Sequence, residues 1–201
     1  MAGDVVEEGG PITGYRMTAV QVRGAAAEEF DTIAALTVGA YRADGQLDGE
    51  HDYGTALADV ATRAAAGELL VAVGEDDKLL GAVTFVLPGS PYAEVSRSGE
   101  AEFRMLAVAP AAQGRGVGAR LAMTCIDRAV AAGCSAVVIC VRDMAAPARR
   151  MYDRLRFTPI PERDWSPYPG VHLVALRLDL SGRAARVSRR PTGRSATSRS
   201  R

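Results

Sequence analysis

One stretch of the sequence, residues 101–141, restricts the fold more than any other. It begins with a strand-like segment, residues 101–108, and passes through a glycine-rich turn into an amphipathic segment, residues 116–132. It ends with the uninterrupted apolar run 136–141, which is typical of a parallel strand covered on both faces. The stretch therefore predicts a right-handed strand–helix–strand crossover, with Gly133 at the C-terminal cap of the helix.

The other segments predict strands and helices from their hydrophobic periodicity. The predicted strands are residues 17–23, 69–73, 79–87, 101–108, 136–141, 157–160 and 172–180, and residues 161–170 are predicted as a loop. The predicted helices are residues 25–41, 53–66, 116–132 and one that begins at Pro147. This order, βααβββαβαββ, predicts a single α/β (α+β) domain with a mixed central sheet of about seven strands and four helices.

Composition argues against several classes of protein. Apolar residues form 48% of the 201-residue chain and charged residues 24%, which are ordinary values for one globular domain. The three cysteines include no C-x-x-C pair and the two histidines are far apart, so we expect no disulfide framework, zinc site or Ser-His-Asp triad. No apolar run is long enough to span a membrane and the N-terminus lacks a signal-peptide pattern, which favours a cytoplasmic protein.

Charge is unevenly distributed along a chain whose formal net charge is zero. All seven basic residues after Leu180 are arginines and no acidic residue follows Asp179, so an acidic body precedes a basic tail. We expect the tail, residues 181–201, to be disordered and solvated because it has few apolar residues to bury, with docking on nucleic acid as the alternative. A flexible lead, residues 1–14, and one domain, residues 15–180, complete the expected organisation.

The glycine-rich turn at residues 113–119, Gln-Gly-Arg-Gly-Val-Gly-Ala, predicts an anion site at the start of a helix. Glycines let the backbone approach a ligand and adopt positive φ, and the free N–H groups of a helix N-terminus favour a phosphate or pyrophosphate. A tight turn required by sterics alone is the alternative. No Gly-Lys-Ser/Thr is present, which excludes a P-loop. Gly114, Gly116 and Ala119 match the dinucleotide fingerprint only weakly, because a loop separates the strand from the first glycine.

Two segments together carry a family resemblance. Residues 106–118 read Leu-Ala-Val-Ala-Pro-Ala-Ala-Gln-Gly-Arg-Gly-Val-Gly, and residues 150–157 read Arg-Met-Tyr-Asp-Arg-Leu-Arg-Phe. The first resembles the acyl-CoA motif (Q/R)-x-x-G-x-(G/A) of the GNAT family of N-acetyltransferases (GCN5-related), and the second is similar to that family's Y-x-x-L-G-F segment. The resemblance covers residues 15–180. It implies a GNAT-like fold with splayed parallel strands at the acyl-CoA site, acetyl-CoA as co-substrate and no metal.

The resemblance assigns the acetyl-CoA contacts mainly to the backbone. Residues 106–108 would pair with the pantetheine arm, the amides of residues 113–119 would hold the pyrophosphate, and the amide of Val108 would donate to the thioester oxygen. The implied cofactor-binding residues are Leu106, Ala107, Val108, Gln113, Gly114, Arg115, Gly116, Val117, Gly118 and Ala119.

The resemblance implies that Tyr152 is catalytic and protonates the departing thiolate of CoA. From the residues alone, Tyr152 also fits a core aromatic, since it lies on an apolar helical stripe. Two positions depart from the family pattern. An Asn that often contacts CoA is replaced by Ala145, and the Gly of the L-G-F segment is replaced by Arg156, so we expect that turn to adopt a non-glycine conformation.

Glu102 is the candidate catalytic base, because an amine arrives as ammonium and must lose a proton before it attacks. Strand alternation predicts that Glu102 shares a face with Arg104, Leu106 and Val108. The alternative is an edge carboxylate paired with Arg104, and Glu100 is a weaker candidate base.

The acceptor site is expected between the early helices and the late loop. Its candidate residues are Tyr53, Tyr92 and Trp165, and a proline-braced surface loop is the alternative role for the segment around Trp165. The nearby carboxylates, which would suit a cationic amine, are Asp48, Glu50 and Asp52.

These observations predict an N-acetyltransferase that transfers an acetyl group from acetyl-CoA to a primary amine of a small molecule or peptide by direct attack. The alternative is a catalytically weak CoA-binding or regulatory module whose basic tail docks on nucleic acid. No membrane partner is expected, nucleic acid is not favoured, and a homodimer is left open.

Overall fold

The computed structural model describes residues 20–48 and 52–182, which form an eight-stranded sheet with helices on both faces. The strands are β1 (Gln21–Gly24), β2 (Glu68–Val73), β3 (Leu79–Val86), β4 (Glu100–Val108), β5 (Ala136–Arg142), β6 (Thr158–Pro159), β7 (Trp165–Tyr168) and β8 (Val171–Asp179). The α-helices are α1 (Phe30–Ala43), α2 (Tyr53–Ala58), α3 (Val60–Ala66), α4 (Val117–Ala131) and α5 (Ala146–Arg154). The predicted mixed α/β fold is confirmed.

Two predicted elements differ from the structure. The predicted helix 53–66 is divided into α2 and α3 at Asp59, whose carboxylate accepts a hydrogen bond from the Thr62 amide at 3.1 Å and caps α3. The predicted loop 161–170 contains β7, which pairs with β8. Aromatic residues at both ends of β7 favour extended structure, and its internal proline is tolerated because β7 pairs with one strand only.

The sheet opens between β4 and β5. Its strand order is β1-β2-β3-β4-β5-β8-β6, with β7 also beside β8. The parallel strands β4 and β5 pair only where residues 100–102 meet residues 136–138. Beyond Glu102, β4 follows β3 up to Val108, whereas β5 follows β8 up to Arg142. The predicted splay is therefore confirmed as a wedge-shaped gap between the second halves of the two strands.

This topology excludes the dinucleotide alternative. Within the described residues, β4 and β5 are the only parallel pair, and every other strand pairing is antiparallel. A dinucleotide-binding sheet needs a repeated series of parallel crossovers with the glycine turn directly after the first strand.

Two apolar layers hold the sheet. One layer packs α4 and α5 on the sheet through fully buried residues such as Leu121 and Ile126. The opposite layer packs α1 and α3 through Ile33 and Val60. Because Leu121 is fully buried, its truncation to alanine would cost about 2–5 kcal/mol of folding free energy.

A bulge in β4 changes which side chains share a face. The register with β3 shifts between Ala82 and Thr84, and Met105 adopts φ of 52°. Arg104 lies opposite Thr84, and Glu102 lies opposite Val86, on the α1 side of the sheet.

After the bulge, Leu106 and Val108 pack against the α4 layer instead. The prediction that Glu102 shares a face with Leu106 and Val108 was therefore wrong, because one extra residue in a strand inverts the alternation that follows it.

The predicted lead, residues 1–14, and the predicted tail from residue 183 onward lie outside the described residues. In the described part of the chain, no helix has the length and apolar character needed to cross a membrane.

Candidate active site

The glycine-rich turn lies directly before α4. Gly114 and Gly116 adopt left-handed conformations, with φ of 73° and 80°, and Gly116 is the N-cap residue of the helix. The first helical hydrogen bond runs from the Arg120 amide to the Gly116 carbonyl at 3.0 Å, so the amides of residues 117–119 have no partner within the helix. These N–H groups lie at the positive end of the helix dipole, which favours an anion there.

A groove of about 630 Å³ runs along this turn, and we call it the main-chain groove. Of the ten predicted cofactor-binding residues, all but Arg115 line it. They are Leu106, Ala107, Val108, Gln113, Gly114, Gly116, Val117, Gly118 and Ala119. Arg150 and Arg154 of α5 add positive charge to the groove. A Cβ at Gly118 would lie only 3.2 Å from Met151 Sδ, so this glycine permits the close approach of α4 and α5.

Main-chain donors also face the gap in the sheet. The Ala109 amide donates to the Leu80 carbonyl at 2.9 Å, so this amide points toward β3. Because N–H groups alternate in direction along an antiparallel strand, the amide of Val108 points away from β3 and into the gap. The amide of Leu106, two residues earlier, has the same direction.

A second cavity, of about 400 Å³, meets the main-chain groove at this gap, and we call it the side-chain cavity. The residues that line both are Tyr41, Gln46, Leu106, Ala145 and Ala148. The remaining walls come from distant segments of the chain, including α2, the loop before β4, β5, β7 and β8. A ligand held in the groove would therefore present one end to whatever occupies the cavity.

Tyr152 lines the side-chain cavity and is 5% exposed. Its ring packs against Phe103 and Phe157, with centroids 6.1 and 5.5 Å away. Burial raises the pKa of the Tyr152 hydroxyl above its ordinary value, with a smaller contribution from Cys125. Tyr152 is therefore a phenol that stays protonated at neutral pH. Both predicted roles, core aromatic and proton donor, are compatible with this placement.

Glu102 lies away from both cavities. Its side chain is fully buried, and one carboxylate oxygen accepts hydrogen bonds from the amides of Glu94, Val95 and Ser96 at 3.0, 3.1 and 3.0 Å. Its other oxygen lies 3.9 Å from Arg104 Nε. Glu102 thus anchors the loop before β4, and its carboxylate does not line the cavity in which a base would act.

The loop that Glu102 anchors contributes a carboxylate that the sequence analysis missed. Glu94 lines the side-chain cavity, forms an ion pair with Arg104 and has a side chain that is 24% exposed. Burial raises the pKa of Glu94, while the Arg104 charge opposes that increase. Glu94 lies in a loop that has no hydrophobic periodicity. Its closeness in sequence to Tyr92 is the one sequence signal that could have indicated a place in the site.

Two of the three predicted acceptor residues line the side-chain cavity, and the third does not. Tyr53 and Trp165 line the side-chain cavity, and Tyr53 packs on Tyr41 with ring centroids 6.0 Å apart. Tyr92 does not line it; the Tyr92 carbonyl accepts a hydrogen bond from Arg104 Nη1 at 3.0 Å, and the Arg104 guanidinium lies 6.0 Å from its ring. Tyr92 therefore holds Arg104 and does not line the cavity that contains the other two predicted acceptor residues.

Trp165 has a neighbour that the sequence did not indicate. Among the described residues, the buried Trp165 indole N–H meets no hydrogen-bond partner of standard geometry, and it lies close enough to Cys140 to oppose the rise in that thiol's pKa. Burial is the larger effect and raises the pKa of Cys140 to about 12, so this thiol is un-ionised at neutral pH.

The predicted acidic surroundings are also different. Asp48 and Asp52 are exposed and line neither cavity, and Glu50 lies outside the described residues. In the described ranges, no cluster of three His, Cys, Asp or Glu residues could hold a metal ion.

The expectation that the turn after α5 adopts a non-glycine conformation was wrong. Arg156 adopts φ of 72°, so the turn keeps the left-handed conformation that suits glycine although an arginine occupies it. Ala145, at the other departure, lines both cavities with a methyl group.

The main-chain groove and the side-chain cavity meet where the sheet opens, an arrangement that offers space for two ligands side by side. Residues 32–157 match the model of the Acetyltransferase (GNAT) family. Because this match covers more than half of the chain, the protein belongs to the GNAT acetyltransferase family. The comparison with curated proteins found no match.

Solved structures share the fold. An acetyltransferase of the GNAT family from Staphylococcus aureus Mu50 is similar with a TM-score of 0.65 and 11% identity, over 81% of this chain and 100% of that chain. A GCN5-related N-acetyltransferase from Kribbella flavida gives 0.59 and 26%, over 81% and 98%. A Salmonella typhimurium protein solved with its cofactor acetyl-CoA gives 0.57 and 21%, over 82% and 95%.

Proposed function

We propose that this protein is an N-acetyltransferase that transfers an acetyl group from acetyl-CoA to the primary amine of a small molecule or peptide. The observation that carries the proposal is the junction of two cavities at the gap between β4 and β5. Membership of an acetyltransferase family makes acetyl-CoA the donor. The separate side-chain cavity supports a second, acceptor molecule that reaches the thioester directly.

The main-chain groove would bind the CoA portion. The amides of residues 117–119 would bind the pyrophosphate, supported by the helix dipole and by the positive charge of Arg150 and Arg154. The strand edge at Leu106 and Val108 would pair with the amides of the pantetheine arm. The Val108 amide, which points into the gap, would donate to the thioester oxygen as negative charge develops on it.

The chemical step is direct attack of the amine nitrogen on the thioester carbonyl carbon. The N–C bond forms, the C–S bond breaks, and the amine proton must leave while the sulfur leaves as a thiolate. Tyr152, which lines the cavity and is protonated at neutral pH, would donate its proton to the sulfur as the C–S bond breaks. The phenol then recovers a proton from solvent.

We assign the base to Glu94 rather than to Glu102. Glu94 lines the side-chain cavity, whereas Glu102 lines neither cavity and is fully buried. Glu102 is then a positioning residue that holds Glu94 through three backbone amides. Glu94 would take the amine proton either directly or through a water molecule.

Two measurements test the proposal. Acetyl-CoA should raise the melting temperature, and a 100-fold excess over its Kd corresponds to about 2.7 kcal/mol of added stability. A panel of primary amines with acetyl-CoA should release free CoA thiol in proportion to N-acetylated product. Absence of a melting shift at millimolar acetyl-CoA, or thiol release with no acetylated amine in any reaction, would contradict the proposal.

A further inference from the structure

More positive than negative side chains line the side-chain cavity. The charged residues in its lining are Glu94, Arg104 and Arg142. Arg104 is fully engaged: it forms an ion pair with Glu94, donates to the Tyr92 carbonyl at 3.0 Å and lies 3.9 Å from Glu102. Within the described residues, the charges near Arg104 are therefore compensated by carboxylates.

Arg142, at the end of β5, has no such compensation among residues 20–48 and 52–182. Its Nη1 donates to the Gln46 carbonyl at 2.9 Å, and its buried Nε has no hydrogen-bond partner among the described residues. No carboxylate in the described part of the chain forms an ion pair with it. A partly buried guanidinium is costly unless it meets an anion, because burial removes water that would otherwise solvate the charge. One neutral carbonyl does not supply that anion.

We infer that Arg142 binds a carboxylate of the acceptor, so that the acceptor is an amino acid or a similar small zwitterion with a free primary amine. This inference rests on the proposed N-acetyltransferase function and narrows its substrate class. Because the Nε of Arg142 is buried, the carboxylate would meet the terminal nitrogens of the guanidinium, which can bind a carboxylate in two parallel hydrogen bonds. Glu94 and Arg142 then give the cavity one group for the ammonium and one for the carboxylate.

The rest of the cavity wall indicates the side chain of that acceptor. The wall is mostly apolar or aromatic, and it includes Phe103, Met105, Val141, Pro167, Val171 and Leu173. Small-molecule sites combine such walls with a few polar groups that fix orientation. An amino acid with an apolar or aromatic side chain fits this composition, and a volume of about 400 Å³ suits a molecule of that size.

The wild-type protein gives the first test through a matched acceptor series. Phenylalanine, phenylalanine amide and 2-phenylethylamine share the ring and the amine and differ in the carboxylate. We expect kcat/KM for phenylalanine to exceed that for each carboxylate-free amine by about 10- to 100-fold, the range for one hydrogen-bonded charged group. Equal kcat/KM values for all three acceptors would overturn the inference and leave the N-acetyltransferase proposal standing.

Substitution of Arg142 gives the second test. In R142M the ratio of kcat/KM between phenylalanine and 2-phenylethylamine should fall to about one, and R142K should retain part of it. R128M is the matched control, because Arg128 is exposed, pairs with Glu68 and lines neither cavity; its ratio should equal the wild-type value. An unchanged ratio in R142M, with an unchanged melting shift by acetyl-CoA, would overturn the inference.

A binding measurement keeps the inference separate from turnover. Trp165 is the only tryptophan of the chain and lines the cavity, so its fluorescence reports on an occupant directly. The probe is 3-phenylpropionate, which carries the carboxylate but no amine and cannot be acetylated. Its titration in the presence of CoA should be saturable in the wild type and at least tenfold weaker in R142M. Equal affinities would refute the role of Arg142 even in a protein that acetylates amines.

Discussion

The main-chain groove and the side-chain cavity are built in opposite ways. The groove takes nearly half of its lining residues from one continuous segment, residues 106–119, which offers backbone amides and glycine conformations. The cavity takes single side chains from many separate segments, from Tyr41 on α1 to Leu173 on β8. Backbone chemistry for a constant ligand leaves a local motif in the sequence, whereas recognition of a particular acceptor depends on residues that only the fold brings together.

The largest effect is expected in the side-chain cavity. Y152F should lower kcat by about 10²- to 10⁴-fold, the range for loss of a general acid, while the Kd of acetyl-CoA changes little because Tyr152 lines the cavity and not the groove. Steady-state thiol release and calorimetric binding check the two quantities. Y92F is the matched control, since Tyr92 lies outside the cavity, and it should keep kcat within a fewfold. Normal turnover in Y152F would leave Tyr152 as a core aromatic.

The cavity carboxylates give the next largest effect. E94Q should lower kcat/KM by about a hundredfold and remove the acid limb of the pH–rate profile, because Gln cannot accept the amine proton. Burial raises the pKa of Glu94, so in the wild type the rate should fall as pH drops through a value above that of an ordinary glutamate.

The matched variant E102Q separates base from anchor. It should keep the acid limb and lose about 1.5–3 kcal/mol of stability, because three backbone amides lose a charged acceptor. If E102Q abolishes the acid limb while E94Q preserves it, the base is Glu102 and the assignment to Glu94 is wrong.

The groove should respond to a single methyl group. In G116A a Cβ forces strain on a residue with φ of 80°, at a cost of about 1–2 kcal/mol, and weakens acetyl-CoA binding by roughly tenfold as the turn adjusts. G39A is the control: Gly39 lies within α1, and a Cβ added there would meet nothing within 4 Å, so alanine should stabilise the helix. Equal acetyl-CoA affinity in G116A and the wild type would show that the turn does not need its left-handed glycine.

The smallest effect concerns the turn after α5, the helix that borders both regions. R156G should raise stability by about 1 kcal/mol, or the melting temperature by about 2–4 °C, because glycine adopts φ of 72° without a Cβ clash. R156A removes the same side chain but keeps the Cβ, so it should show no such gain. Calorimetry measures both, and an equal gain in R156A would assign the effect to the arginine side chain instead.

Local patterns predicted most of the fold. The apolar run 136–141 and the amphipathic segment before it indicated the crossover, and the glycines at residues 114 and 116 indicated the N-terminus of α4. The predicted helix 53–66 did not include the break at Asp59. In the sequence, an aspartate that caps a helix looks like any polar residue on an exposed helix face. The bulge at Met105 was not readable from composition, since nothing marks methionine as a left-handed residue.

That bulge explains why the site was only partly predictable. Without it, Glu102 would face the same side as Leu106, and this expected shared face is what made Glu102 the candidate base. The prediction of the groove residues was not affected by this error, because backbone donors do not depend on which way side chains point. The prediction of the cavity residues did depend on side-chain direction. Glu94 and Arg142 were identified only from the structure, through the contacts of a loop and of a strand end.

The opening in the sheet has a mechanical consequence. Three residue pairs at one end join β4 to β5, and beyond them the two strands form the separate arms of a wedge-shaped slot. The inner edges of both arms carry backbone groups with which another extended chain could pair. Filling that slot with the donor molecule would brace the arms and shield these borders. A donor that binds only the folded protein would therefore add to its stability, so acetyl-CoA would act on resistance to unfolding as well as on catalytic rate.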